Sequence, residues 1–130
     1  MAKRPKYEVR IGHAARRDML AVMRWSRREF GENAALRYDA VLAQAFTDIG
    51  EDPERPGSQQ RPDLVKGVLV HHLRSSRDRA RSIVGLVRHP RHFVIYRRQD
   101  HVIEILRVLQ DARDLQRHLP EEYRGEAQSP

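Results

Sequence analysis

The run FVIYRRQDHVIEILRVL, residues 93–109, constrains the fold more than any other part of the chain. Phe93, Ile95 and Arg97 alternate with Val94, Tyr96 and Arg98, the polar pair Gln99-Asp100 intervenes, and an apolar-rich run follows from Val102 to Leu109. A period of two in β-branched and aromatic residues marks a half-buried strand, and two such runs around a short polar turn make a hairpin that closes a sheet. The residues that follow, to Leu119, read as a short amphipathic tail.

Upstream the period changes twice. Tyr7–Ile11 alternates and predicts a first strand. From Ala14 to Phe30, Ala15, Met19, Val22, Met23, Ser26 and Phe30 recur on one helical face, and Gly31 ends that helix. A second helix is expected from about Asn33, with Ala35, Tyr38, Leu42, Ala45 and Ile49 as its apolar stripe and Gly50 as its stop. So short a connection forces the two helices into a hairpin lying against one sheet. Glu51–Pro62, rich in Pro, Gly and polar residues, reads as a surface loop. Val65–Leu73 reads as a strand that Gly67 lets bend. Ser75–Ser82 fits either a helical turn or a hairpin tip, and Val84–Val87 is expected to extend the sheet before His89-Pro90 interrupts it. After Pro120 the chain is polar and expected to fray. The fold class is α+β, a helical hairpin on a mostly antiparallel sheet, in one domain spanning residues 1–130.

The charge is concentrated. The chain of 130 residues has a formal net charge of +7. His71–Arg98 holds eight arginines (Arg74, Arg77, Arg79, Arg81, Arg88, Arg91, Arg97, Arg98) against a single acid, Asp78, a surplus equal to the whole. Such a field attracts an acidic polymer or an acidic protein surface and speeds encounter with it. A solvated basic face without a dedicated partner is the plainer alternative. The candidate partner-binding residues are Arg74, Arg77, Arg79, Arg81, Arg88, Arg91 and Arg97, with Arg107 on the last strand.

Other chemistry finds little support. Cysteine is absent, which removes disulfides, thiolate nucleophiles and cysteine-bound zinc and suits a reducing compartment. No stretch approaches the roughly 20 apolar residues that span a bilayer, and the N-terminus carries no apolar leader, so a cytoplasmic protein without membrane contact is expected. His71, His72, His89 and His92 invite a metal reading, but adjacent residues of a strand face opposite sides, so no metal and no cofactor is expected. Met19 and Met23 suit a helix core. Tyr96, beside Arg97 and Arg98, could stack on a base or be buried on a central strand. No glycine-rich phosphate loop or Ser-His-Asp arrangement is present.

Ala15, Asp18-Met19, Trp25, Phe30-Gly31, Ala35 and Tyr38 on the helices, the segment Val70–Ala80, Arg88–Phe93 and the closing hairpin together resemble the RelE/ParE superfamily of type II toxins, from about Tyr7 to Leu119. The 70–93 words are similar to longer-loop ParE-like proteins. One position departs from the pattern: Gln110 stands where many relatives have histidine after the last strand. The resemblance implies a toxin neutralised by a cognate antitoxin, a ribbon-helix-helix protein with an acidic C-terminal segment that wraps the toxin and carries the complex to operator DNA. The ParE branch implies inhibition of DNA gyrase by binding, with no catalytic residue. The RelE branch implies a ribosome-dependent mRNA endoribonuclease, in which Arg74, Arg77, Arg81 and Arg88 would hold the RNA backbone. An amide at 110 cannot transfer a proton near neutral pH, and His118 and Tyr123 come late in the chain, which favours the ParE branch. A non-toxic basic nucleic-acid-binding module is the third reading.

Overall fold

The computed structural model describes residues 7–64, 66–80 and 82–111. The amphipathic tail to Leu119, His118, Tyr123 and Arg81 therefore lie outside the described residues. Strand β1 (Glu8–Ile11) leads into helix α1 (His13–Phe30) and helix α2 (Glu32–Glu51), followed by β2 (Ser58–Gln60), β3 (Val68–His72), β4 (His92–Gln99) and β5 (Val102–Gln110). The sheet order is β1-β5-β4-β3-β2. Every neighbouring pair is antiparallel except β1 with β5, which run parallel.

The helical hairpin forms where the sequence places it. Gly31 joins the helices at φ 94°, a backbone region that a residue with a Cβ avoids. Ala15, Val22 and Ser26 of α1 and Ala35, Tyr38, Val41, Leu42, Ala45 and Ile49 of α2 are buried, and Met19 and Met23 pack against their core at half burial. Two boundaries differ from expectation. Phe30, expected on the buried face at the end of α1, is 66% exposed. Helix α2 passes Gly50 and ends after Glu51, where the backbone N–H of Asp52 donates to the carbonyl of Asp48.

The hairpin β4–β5 is the centre of the sheet, and its register shifts once. Ile95 pairs Arg107 but Tyr96 pairs Ile105, so Leu106 is an extra residue. Ile103, Ile105 and Val108 join the core beneath the helices, whereas Leu106 and Leu109 join Leu64, Val68, Val70 and Ile95 in a second buried cluster. The bulge shifts the alternation by one residue, which is why Val108, three residues after Ile105, returns to the helix side and Leu109 shares the other face with Leu106. Beyond Ile105, β1 has ended and β5 would present a bare edge to α1. Asp18 covers it, accepting from Val108 N at 2.9 Å and from Arg107 Nε and Nη2 at 2.7 and 2.9 Å.

Two stretches differ from the sequence reading. Within Glu51–Pro62, Ser58–Gln60 forms an edge strand on β3. Three polar residues carry no alternation, and the pairing comes from β3's backbone. Val84–Val87 does not extend the sheet. Ser82 and Gly85 close a tight turn on themselves instead, with Gly85 at φ 101°, and Ser75–Arg79 is spent in two short 3-10 turns, Leu73–Ser75 and Arg77–Arg79.

Candidate partner-binding groove

The irregular segment between β3 and β4 is held at several points. Asp48, buried on α2, accepts from Gln44, Ser76 and Arg79 and lies 3.4 Å from Arg55. Burial pushes its carboxyl up, but those hydrogen bonds and the charge of Arg55 outweigh it and hold the group below the ordinary carboxylate value. Further along, Arg77 donates to the carbonyl of Arg88 at 2.8 Å, Arg37 of α2 donates to the carbonyl of Val84 at 3.2 Å, and the backbone N–H of Arg91 donates to Tyr38 Oη at 3.0 Å.

Fastened this way, the segment stands off the helical hairpin and leaves a groove of about 870 Å³. Trp25, Phe30 and Ala34 form one wall and Val84, Leu86 and Val87 the other, while Arg37, Arg88 and Arg91 bring positive charge to the lining. Trp25 and Phe30 meet edge to face, ring centroids 5.4 Å apart. An apolar trough with a cationic border recognises an amphipathic acidic segment: aromatic faces take apolar side chains, and guanidiniums take carboxylates.

The candidate arginines separate into groups. Arg88 and Arg91 line the groove, and Arg91 also lies 3.4 Å from Asp111. Arg74 is exposed on the first 3-10 turn, and Arg77 braces the segment. Arg79 is engaged by Asp48, and Arg107 by Asp18. Arg97 is half-buried on β4, opposite Glu104 in register. Arg37 lies outside the basic segment in sequence and was missed. Its signal was an arginine directly before Tyr38 on the apolar stripe.

His71, His72 and His92 are buried in contacts of the fold, while His89 is exposed and lines the groove. His71 lies between Ser76 Oγ at 2.9 Å and Ser58 Oγ at 3.3 Å, while His72, on the other side of the strand, meets Asp111 at 3.2 Å. His92 Nδ1 is 2.6 Å from Tyr38 Oη. Burial pushes His92 down to about 4 and Tyr38 up to about 12, so neither changes charge near neutral pH. Gln110 pairs with His92 in register and is exposed, in a smaller cleft it shares with Asp18, Trp25 and Arg107. Tyr96 is fully buried, its hydroxyl bonding the Pro53 carbonyl and Ser58, which leaves no ring face for a base. Among the described residues no three His, Asp or Glu side chains gather as metal ligands.

Comparison with known proteins settles the family. Residues 9–115 match the family described as "ParE toxin of type II toxin-antitoxin system, parDE". The chain belongs to the ParE toxin family. A solved structure described as "Chromosomal ParDE TA system from P. aeruginosa" shares the fold of this ParE-family chain with a TM-score of 0.58 at 18% identity, covering 81% of this chain and 96% of the other. No curated protein matches the chain in sequence. ParE-family membership makes it a toxin of a type II toxin–antitoxin system, and among its described residues no helix is long and apolar enough to cross a membrane.

Proposed function

We propose that this ParE-family toxin is neutralised by a cognate antitoxin whose flexible acidic segment lies in the groove and over its arginine border, and that the free toxin acts by binding DNA gyrase. The observation that carries the first part is the groove itself: apolar walls of Trp25, Phe30, Val84 and Leu86 lined also by Arg37, Arg88 and Arg91. Ordering a disordered acidic tail costs free energy, and an apolar trough offsets that cost where surface charge alone does not. The antitoxin would be a ribbon-helix-helix protein that takes the complex to operator DNA, with both proteins in the cytoplasm. The basic segment favours fast, salt-sensitive capture of the tail.

Among the described residues, Gln110, His92 and Tyr38 at the end of β5 support the binding mode of toxicity rather than mRNA cleavage. Gln110 is an amide, and His92 and Tyr38 are buried against one another, at about 4 and 12. General acid–base cleavage of a phosphodiester needs groups that exchange protons near the working pH. Purified toxin should therefore block gyrase supercoiling and leave ribosome-bound mRNA intact, and the antitoxin encoded beside it should reverse the block. Codon-dependent cleavage of mRNA with gyrase unaffected would overturn this reading.

A further inference from the structure

Ile83 is fully exposed, at 102% of its reference surface, on the tip of the Ser82–Gly85 turn. A bare isoleucine on a floppy loop would carry no information, but this loop is built. Ser82 and Gly85 exchange backbone hydrogen bonds of 3.0 and 3.1 Å, Ser82 Oγ donates to the Gly85 carbonyl and accepts from Val84 N, and Arg37 holds the Val84 carbonyl from α2. Gly85 at φ 101° supplies the conformation that closes the turn. A β-branched side chain on such a support loses little rotamer freedom when it is captured. Nothing in the described fold uses its apolar surface.

The residues after Ile83 on the same turn, Val84 and Leu86, are a wall of the groove, so a segment that fills the groove runs against the base of this tip. We propose that Ile83 is a preformed anchor: the acidic partner segment in the groove closes over the turn and encloses Ile83 in an apolar pocket of its own. The inference rests on the partner reading above and commits it to a reciprocal contact. Apolar side chains of the partner enter the groove, Ile83 enters the partner, and Arg37 and Arg88 of the groove lining meet its carboxylates. An anchor of this kind sets which antitoxin a toxin accepts, since a partner lacking the pocket must bury a polar or charged group against isoleucine.

The test uses the purified antitoxin encoded by the neighbouring reading frame as the probe. Because Ile83 is fully exposed in the described fold, Ile83→Ala and Ile83→Asp should leave the thermal midpoint unchanged while weakening binding by roughly 10-fold and roughly 30-fold or more, with Ile83→Val close to wild type, as for an interface hot spot. The chain has no cysteine, so Ile83→Cys offers a unique thiol. Its labelling by a maleimide should be fast in the toxin alone and suppressed in the complex. Unchanged affinity and undiminished labelling, with Arg88→Glu weakening binding, would overturn the anchor and leave the groove reading standing. If Arg88→Glu has no effect either, both fall. Suppression of labelling in the toxin alone that grows with its concentration would assign the tip to a second copy of the chain and overturn the proposal.

Discussion

Removing the Asp18 carboxylate should destabilise the protein by about 3 to 4 kcal/mol, through two losses that can be separated. Asp18 and Arg107 side chains are 15% and 20% exposed, so water screens their pair only in part. In Asp18→Ala the guanidinium keeps its charge without its two acceptor contacts, and the Val108 N–H at the β5 edge loses its acceptor. Breaking a buried pair from one side costs about 3 to 5 kcal/mol, and the partial exposure here brings that to about 2. Leaving the amide unsatisfied adds about 1 to 2 kcal/mol. Asp18→Asn keeps an oxygen for Val108 and loses the charge, so it should cost about half as much. With a urea slope of about 1.3 kcal/mol per molar for a small domain, the midpoint should fall by roughly 2 to 3 M for alanine and by half that for asparagine. A fall below about 0.5 M in Asp18→Ala would refute the claim that this carboxylate covers the edge, and equal damage from both substitutions would refute the division between charge and amide.

Four further outcomes are expected. His71 and His92 have folded values near 4 against an ordinary 6.5, mainly through burial, so the unfolded chain takes up protons first: their contribution to stability is whole above about pH 6.5 and falls as pH drops towards 4, with up to two protons bound by these two rings on unfolding; a flat unfolding free energy across that window would contradict the burial of both rings. Leu42→Ala, at a side chain 1% exposed, should cost roughly 2 to 5 kcal/mol in chemical denaturation, and a loss under 1 would place Leu42 outside the core. Tyr38→Phe removes the contacts to His92 and Arg91 N and should cost about 1 to 2 kcal/mol while speeding hydrogen exchange at the Arg91 amide; unchanged exchange would show that Tyr38 does not hold that strand entry. Arg88→Glu with Arg91→Glu should slow antitoxin association and flatten its salt dependence, and an unaltered salt slope would remove them from the encounter surface.

The elements with strong periodicity were legible and those built by partners were not. Ala35, Tyr38, Leu42, Ala45 and Ile49 announce α2 by spacing alone, and Phe93–Leu109 announces its hairpin. Ser58–Gln60 is a strand only because β3 offers it a backbone, and Val84–Val87 looks like one until Arg37 and Gly85 bend it into a turn. Phe30 followed the helical period and is still largely exposed, since periodicity gives a face but not what packs against it. Two arginines of the cluster, Arg88 and Arg91, lie in the segment that lines the groove. Which arginines remain available depended on Asp18 and Asp48, acids distant in sequence whose pairings no local pattern reveals. The groove was least legible, because it is the space between two elements, one of them irregular.

The parallel pairing of β1 with β5 also fixes an order of events at the ribosome. Glu8 meets Val102 and Ile11 meets Ile105, so the first strand to be synthesised waits for the last described one before it has a neighbour. Until then the helical hairpin, β3 and β4 have been made, but β5, which joins β1 to the rest of the sheet, has not. A nascent chain of this topology must pay loop closure over most of its length before its sheet rewards it, which makes folding late and slow relative to a purely local fold. Chains cut short before residue 102 lack the strand that both β1 and β4 require, so premature termination yields chaperone or protease substrates rather than small active fragments.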